Sequence, residues 1–387
     1  MKKIPRPIYK KHNSFVEIRQ TQKNTLAAAI DRVANLRQRD NLTAKMSKAH
    51  RQIFNQACTD LLGFDSSDNS SRFSLSPSVA EEIATYSDSD LPRYLVHRYR
   101  YEIFPKLKIL DQYPPCLQIE PTSICNFRCV FCFETDPTFS NKTNGYMGQM
   151  TLDLFKHIID QAVGNVEFLS LASRGEPLIC KDIVPMLEYA RGKFLNLKIN
   201  TNASLLDEAK CHAILAGGVK TVVFSADAAD EPLYSKLRVN GKLSTILENI
   251  ELFQKIRQTK YSSLSIITRV AGVKVSDEQD LDSMHKVWGD LVDQVAFVQY
   301  NPWENVYSQP SNGLGTACSD LWRRMFVWWD GKTNPCDVDY KSTLSVGSVS
   351  NYQLNKLWRS SIYDEIRNLH INKKRGDKKP CSACTVV

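Results

Sequence analysis

Three cysteines stand close together near the middle of the chain, in the segment Cys125-Asn-Phe-Arg-Cys129-Val-Phe-Cys132. Three thiolates on one short loop can bind three of the four irons of an iron–sulfur cubane and leave the fourth iron open to an outside ligand. Zinc sites also use closely spaced cysteines, so half of a zinc site is the alternative, although the spacing favours an iron–sulfur cluster. The spacing indicates metal or redox chemistry and leaves both metals open.

A second group of cysteines follows late in the chain: Cys318, Cys336, Cys381 and Cys384. Four thiolates can ligate one iron–sulfur cluster completely, or they can form a structural zinc knuckle, and the spacing permits both. The remaining cysteines have apolar neighbours and are predicted to be small core residues: Cys58, Cys116, Cys180 and Cys211.

Polar motifs follow several apolar segments between these two groups. Arg174-Gly175-Glu176-Pro177 follows the second apolar segment, and Asn200-Thr201-Asn202-Ala203 ends the third. Phe224-Ser225-Ala226-Asp227-Ala228 ends the fourth, and Arg238 follows it. The carboxyl ends of parallel strands meet at one edge of a sheet, so these motifs are expected to converge there.

In this order the motifs resemble the radical S-adenosylmethionine (radical SAM) enzymes over roughly residues 115–300. Phe131 precedes the third cysteine, as an aromatic residue usually does in that family's loop. The tetrapeptide at 174–177 is similar to the family's Gly-Gly-Glu-Pro motif, with Arg174 in the place of the first glycine. A side chain there requires a negative φ.

The resemblance implies that the loop cysteines hold a [4Fe–4S] cluster and that S-adenosylmethionine chelates its open iron. It implies that an electron from the reduced cluster cleaves this cofactor into methionine and a 5′-deoxyadenosyl radical, which abstracts a hydrogen atom from the substrate. Glu176 is expected to accept hydrogen bonds from the cofactor's ammonium group, together with the backbone carbonyls of residues 173–175. The residues that the resemblance assigns to cofactor binding are Phe131, Gly175, Glu176, Pro177, Asn202, Ser225 and Arg238.

The C-terminal segment resembles the SPASM/twitch domain found in many radical SAM enzymes. The resemblance rests on Gly331-Lys-Thr-Asn-Pro-Cys336, on Leu344-Ser-Val-Gly-Ser-Val349 and on Leu357-Trp358. It implies one auxiliary [4Fe–4S] cluster held by the four late cysteines. Because four thiolates leave no open iron, such a cluster is expected to transfer electrons rather than to bind substrate.

Apolar segments alternate with helical patterns from about residue 114 onward, as expected for a parallel sheet covered by helices. With the resemblance, this predicts an α/β fold: a partial (β/α)6 TIM-like barrel with a helical N-terminal extension and a small C-terminal iron–sulfur domain. Residues 1–112 are predicted to be mostly helical without a strand, with 1–20 a loose arm. The barrel is predicted to span 113–305 and the iron–sulfur domain 306–387. The predicted strands are 116–120, 166–172, 197–200, 221–226, 264–270 and 295–300.

Composition limits the class of protein. The chain has 387 residues, of which 42% are hydrophobic and 24% charged, which excludes wholesale disorder. It has no apolar run of the roughly 20 residues that a membrane helix needs and no signal-peptide core, and eleven cysteines are an odd count for a disulfide framework. These features predict a cytoplasmic protein.

The basic character of the chain is concentrated at its start, because residues 1–60 carry a net charge of +9 and the whole chain +8. Such a segment can attract nucleic acid or anionic groups. No aromatic platform is interleaved with the charges, so a solvated helical face is the favoured interpretation.

The leading hypothesis is a radical SAM oxidoreductase that abstracts hydrogen from a polar substrate and passes an electron to the auxiliary cluster. The expected substrate is a sugar, an aminocyclitol or a nucleotide-linked molecule, and the expected electron donor is a flavodoxin or ferredoxin. Two alternatives remain open: a radical SAM enzyme that modifies a peptide or protein, and a zinc-stabilised nucleic-acid-binding protein. The sequence selects no catalytic base among Glu120, Tyr300, Glu304 and Asp337.

Overall fold

The computed structural model of the chain describes residues 15–20, 26–44, 46–63, 72–172, 174–300 and 306–387. The strands in these segments are β1 (Phe15–Gln20), β2 (Cys116–Ile119), β3 (Arg128–Cys129), β4 (Phe168–Leu171), β5 (Asn196–Thr201), β6 (Val219–Ser225), β7 (Arg238–Val239), β8 (Ile267–Lys274), β9 (Gln294–Gln299), β10 (Arg324–Val327), β11 (Lys332–Asn334) and β12 (Gly347–Ser348).

The helices in the same segments are α1 (Leu26–Arg37), α2 (Lys48–Leu62), α3 (Pro77–Thr85), α4 (Leu91–Leu107), α5 (Pro137–Ser140), α6 (Leu152–Ala162), α7 (Ile183–Ala190), α8 (Glu208–Ala216), α9 (Glu231–Leu237), α10 (Leu243–Lys260), α11 (Leu281–Trp288), α12 (Leu354–Trp358) and α13 (Ser361–Ile371). No helix in these described segments has the combination of length and apolar character that crossing a membrane requires.

Ten of the described strands form one sheet in the order β1-β9-β8-β6-β5-β4-β2-β10-β11-β12. The six strands from β9 to β2 are parallel, and helices connect consecutive strands. One face of these strands carries apolar residues such as Leu117 and Ile199, which pack in the main core with the covering helices. The predicted α/β class and partial TIM-like barrel are therefore confirmed, and the carboxyl ends of the strands share one edge.

Local sequence starts the barrel helices at defined points. Thr151 accepts a hydrogen bond from the backbone N–H of Leu154 at the start of α6, and Asp207 accepts one from Lys210 at the start of α8. Such N-caps satisfy a backbone donor that the helix itself leaves unpaired. They fix where each loop from a strand end must turn into its helix.

A second apolar core joins the N-terminal helices to the opposite edge of the barrel. It contains the buried faces of α1 to α4, and it includes Leu195 immediately before β5 and packs against Phe168 at the start of β4. The ring of His97 on α4 stacks on that of Phe168 with centroids 3.5 Å apart. The N-terminal helices therefore cover the amino ends of the strands and leave the carboxyl ends free for the site.

The N-terminal extension corrects the prediction that it has no strand, because β1 pairs antiparallel with β9 at the edge of the sheet. The rest of the predicted loose arm, 1–14, lies outside the described residues. The helical pattern predicted over 79–112 forms two helices, since Pro92 stands in the first turn of α4 and favours a new helix start there. The pattern over 25–62 likewise divides into α1 and α2.

The C-terminal segment continues the barrel sheet. β10 lies parallel to β2, with Arg324 opposite Cys116 and Val327 opposite Ile119, and β11 and β12 follow it antiparallel. Phe326 and Trp328 are fully buried, and Trp329 is partly buried. The segment with the four late cysteines is thus joined directly to the first strand of the barrel.

Candidate active site

The first three cysteines lie on the loop that follows β2 and line one cavity at the carboxyl edge of the sheet. Two donors approach their sulfurs: the backbone N–H of Phe127 is 3.5 Å from Cys125 Sγ, and Arg238 Nη1 is 3.8 Å from Cys129 Sγ. Donors of this kind stabilise negative charge on thiolate sulfur.

The backbone leading to Cys125 is fixed by the motif at the end of β4. The N–H of Glu176 donates to Ile124 O at 2.9 Å. A Cβ atom at position 175 would collide with Thr122 O and would lie 2.6 Å from Ile124 O. Only glycine lets the two backbones approach this closely.

Glu176 is buried and lines the cavity, as the resemblance implies. Its Oε1 accepts hydrogen bonds from Leu178 N and Thr201 Oγ1, and its Oε2 accepts one from Asn202 N at 2.6 Å. Burial raises the pKa of this carboxyl, and these hydrogen bonds oppose that shift. The carboxylate therefore joins the end of β4 to the end of β5, and these three hydrogen bonds leave about one of its four lone pairs free.

Asn202 ties the end of β5 to the cysteine loop. Its Nδ2 donates to Asn126 Oδ1 at 2.9 Å, and its Oδ1 accepts from Ser204 N and Ser204 Oγ. Asn200, near the end of β5, lines the cavity with a buried Oδ1 that has no hydrogen-bond partner among the described residues. An acceptor left open in this way fits a ligand that brings its own donor.

Arg238 is held in place by a buried ion pair and by a strand pairing. Its Nε donates to Asp227 Oδ2, and the side chains of both residues are almost fully buried. β7 pairs with β3 so that Arg238 stands opposite Cys129, and its guanidinium lies 5.7 Å from the centre of the Phe131 ring. Asp227 therefore orients Arg238 toward the cysteine loop.

A second buried ion pair at this edge was not predicted from the sequence. Arg174 donates through Nε to Glu120 Oε2 at 2.7 Å and through Nη2 to Glu120 Oε1 at 2.5 Å. Its Nη1 donates to Tyr340 O at 2.8 Å, and its guanidinium stacks 4.2 Å from the Trp328 ring centre. Because Glu120 is committed to Arg174, it is not free to act as the catalytic base.

The four late cysteines also meet. Cys318, Cys336, Cys381 and Cys384 line a single cavity. The turn that carries the last two is tied by Arg375, whose guanidinium donates to the carbonyls of Thr316, Val386 and Cys384. The arrangement joins cysteines that are up to 66 residues apart in the sequence.

Residues 119–286 match the family model of the radical SAM superfamily, and residues 318–385 match that of the SPASM iron–sulfur cluster-binding domain. Residues 119–286 form a radical SAM domain. It is an enzyme with a C-terminal SPASM domain, so the radical SAM resemblance is confirmed. A radical SAM domain implies a [4Fe–4S] cluster with S-adenosylmethionine, and a SPASM domain implies auxiliary iron–sulfur clusters.

Similar proteins include the AdoMet-dependent heme synthase of Methanosarcina barkeri, 27% identical over 143 residues that cover 37% of this chain and 40% of the relative. The GTP 3′,8-cyclase of Campylobacter lari is 27% identical over 190 residues, covering 48% of this chain and 55% of the relative. This radical SAM enzyme thus spans about half the length of the curated relatives that it matches.

Two solved structures share the fold. Streptococcus suis SuiB bound to the precursor peptide SuiA has a TM-score of 0.53 at 16% identity, covering 82% of this chain and 79% of SuiB. anSMEcpe with bound AdoMet has a TM-score of 0.51 at 15% identity, covering 70% of this chain and 88% of anSMEcpe. At these identities the likeness concerns the fold of the radical SAM enzyme.

The donor sets of both cavities fit iron–sulfur clusters. No three His, Cys, Asp or Glu side chains of the described residues form a site for a single metal ion. The three loop thiols and the four late thiols instead each surround a cavity, and thiolate is the ligand that clusters use. Burial raises the pKa of Cys125 to about 12 and that of Cys318 to about 11, so their thiols must lose protons when metal binds.

Most residues predicted to bind the cofactor line the first cavity: Phe131, Gly175, Glu176, Asn202, Ser225 and Arg238. Pro177 does not line it and starts a short 3-10 turn instead. His370 lies in the second cavity although no role was predicted for any histidine, because its distance from the cysteines in the sequence gives no ligand spacing. The role of Arg375 was also missed, because hydrogen bonds from an arginine to backbone carbonyls leave no pattern in the sequence.

We expect Gly175→Ala to lose the iron of the first cluster while keeping that of the second. The added methyl group collides with backbone oxygens, so the segment before Cys125 must move. Iron and sulfide analysis with electron paramagnetic resonance measures both clusters separately. Gly376→Ala is the control, because its methyl group would be 3.4 Å from the nearest atom, Ser311 Oγ. Full iron in Gly175→Ala would contradict the role of this close approach.

We expect the double replacement Cys381→Ala with Cys384→Ala to reduce the iron content by about half. Two of four ligands are lost, whereas the loop thiols and Glu176 are untouched, so cleavage of S-adenosylmethionine persists. Cys58→Ala and Cys211→Ala remove buried thiols that line neither cavity and serve as controls. Unchanged iron with loss of zinc would show that the late cysteines bind zinc.

Proposed function

We propose that the protein is a radical SAM oxidoreductase that dehydrogenates a polar small molecule bound in the barrel. When bound, the first cluster and S-adenosylmethionine supply a hydrogen-abstracting radical, and the auxiliary cluster supplies an acceptor for one electron. The substrate would lose a hydrogen atom, then one electron and one proton, and would leave as a two-electron oxidised product. Cys125, Cys129 and Cys132 would hold the first cluster, and the four late cysteines the second.

The observation that carries this proposal is a row of polar side chains inside the barrel. Gln118, Ser170, Lys198 and Thr221 stand opposite one another in register across β2, β4, β5 and β6. Their neighbours along each strand pack outward against the helices, so this row faces the interior of the barrel. An interior of this kind favours a substrate with many hydrogen-bonding groups.

Lys198 is the charged member of this row. It makes no hydrogen bond or ion pair with any residue that the structure describes, and burial with the nearby Arg269 and Arg324 lowers its pKa to about 8. An ammonium group without a partner in a largely buried place gains most from an anionic or strongly polar ligand. Lys198 lies on the same face of β5 as Asn200, two residues later, which lines the first cavity, and we propose that the substrate extends from this cavity toward Lys198.

The two cysteine regions touch each other, which supports electron transfer between them. Phe133 follows Cys132 directly, and its ring stacks on that of Tyr340 with centroids 5.1 Å apart. Tyr340 lies four residues after Cys336. Its carbonyl accepts the hydrogen bond from Arg174, which also lines the first cavity. A substrate radical formed near the first cluster would therefore have the auxiliary cluster as a close electron acceptor.

Modification of a peptide is the second candidate function. The structures of SuiB with the peptide SuiA and of anSMEcpe with the peptide Cp18Cys name peptide ligands for proteins of this fold. The predicted absence of strands from the N-terminal extension favoured a small molecule over a peptide, and the presence of β1 removes that ground. The polar interior with Lys198 still favours a small molecule, and a nucleotide fits the GTP cyclases among the relatives.

The cellular setting is part of the proposal. All eleven cysteines lie in described residues and are free thiols, which suits a reducing compartment such as the cytoplasm. The first cluster would need an external one-electron donor, and a flavodoxin or ferredoxin supplies electrons of that kind.

We expect deuterium to pass from the substrate into 5′-deoxyadenosine. Reduced enzyme is incubated with S-adenosylmethionine and with sugars, aminocyclitols or nucleotides deuterated at their alcohol carbons, and mass spectrometry follows the label. The Cys125→Ala protein is the control and should give no 5′-deoxyadenosine. Label from a deuterated peptide alone would replace the proposal with the second candidate.

We expect Lys198→Met to lower kcat/KM for the substrate by roughly tenfold to a hundredfold, the scale of a lost charge-assisted hydrogen bond. Cleavage of S-adenosylmethionine without substrate should not change, because Lys198 lies outside the first cavity. Lys198→Arg keeps the positive charge and should recover part of the activity. Lys210→Met, which removes a surface lysine paired with Asp207, is the matched control. An unchanged kcat/KM in Lys198→Met would exclude Lys198 from substrate binding.

A further inference from the structure

His370 is a buried histidine in the last turn of α13 and lines the cavity of the four late cysteines. Its Nδ1 accepts a hydrogen bond from the backbone N–H of Cys318 at 3.1 Å. A nitrogen that accepts from an N–H carries no proton itself, so the single proton of the neutral imidazole must be on Nε2.

The Nε2–H group is left without an acceptor in the protein. Nε2 is fully buried and has no hydrogen-bond partner among the described residues. A buried donor without a partner costs the free energy of its lost hydration. In a cavity lined by four thiols, the acceptors that a bound cluster would provide are its sulfide and thiolate sulfurs.

We propose that His370 donates a hydrogen bond from Nε2 to a sulfur of the auxiliary cluster and thereby raises the reduction potential of that cluster. The inference rests on the proposed ligation of this cluster by the four late cysteines. Reduction adds a negative charge to the cluster, so a donor on its sulfur stabilises the reduced form more than the oxidised form. A higher potential makes the cluster a better acceptor for the electron of the substrate radical. His370 is thus a positioning and tuning residue, not an iron ligand.

Two substitutions separate this role from a purely structural one. His370→Asn places its amide oxygen near the position of Nδ1, so it keeps the acceptor for Cys318 N–H and removes the donor. His370→Gln places its amide nitrogen near the position of Nε2, so it keeps a donor for the cluster. His212→Asn changes a histidine at a distant site, where Nδ1 contacts Tyr261 Oη, and is the control.

The potential is measured by redox titration followed by electron paramagnetic resonance. The full chain carries Cys125→Ala, Cys129→Ala and Cys132→Ala, so the auxiliary cluster is its sole iron centre. We expect His370→Asn to keep its iron and to lower the ratio of reduced to oxidised cluster at fixed potential about tenfold, which is about 59 mV for one electron. His370→Gln and His212→Asn should titrate like the parent. Equal potentials in the parent and in His370→Asn, both with full iron, would overturn the proposal.

A spectroscopic test needs no substitution at His370. Chain grown with ring-¹⁵N histidine should show a ¹⁵N coupling to the reduced auxiliary cluster by pulsed electron paramagnetic resonance. Absence of this coupling in protein with full auxiliary iron overturns the proposal. Because His370 is intact in this protein, the test remains valid even if the His370 variants lose their cluster. Absence of iron from the parent instead refutes the four-cysteine cluster itself, so metal analysis distinguishes the two failures.

Discussion

Glu120 accepts three hydrogen bonds from Arg174, two from its guanidinium and one from its backbone N–H, and the side chains of both residues are almost completely buried. Glu120 follows β2, Arg174 follows β4, and the third donor of the guanidinium reaches Tyr340 in the SPASM segment. Glu120 Oε1 also accepts from Trp329 N at 3.3 Å, so the pair connects three parts of the chain. A buried charge without its partner typically costs about 3–5 kcal/mol, so these parts must assemble together.

The parallel sheet places the Glu120–Arg174 pair at the same edge as the other polar groups of the site. In a parallel sheet the carboxyl ends of neighbouring strands meet, and here the ends of β4, β5 and β6 contribute polar groups to the same cavity. Glu176 after β4 binds the backbone of Asn202 after β5, and Asp227 after β6 orients Arg238 toward Cys129. The groups on this edge therefore hold one another in position as well as lining the cavity.

The sequence predicted the parts of this arrangement that have local signals. The spacing of the loop cysteines and the polar motifs at strand ends indicated the site, and apolar segments located the six barrel strands. β1 was missed, because a short edge strand exists through its pairing with β9, and β9 lies far along the chain. The partnership of Arg174 with Glu120 spans 54 residues, and that of His370 with Cys318 spans 52. Such contacts depend on the assembled fold, and no local sequence pattern predicts them.

The parallel pairing of β10 with β2 has a consequence for the timing of electron transfer between the two proposed redox centres. Four residue pairs in register join the SPASM segment to the first barrel strand, and Trp328 is buried directly after them. The segment cannot swing away from the barrel unless this ladder breaks and the tryptophan becomes exposed. Two redox centres built on such a frame would keep a constant tunnelling distance. The moment of electron transfer would then be set by driving force and by substrate occupancy, with no contribution from domain opening.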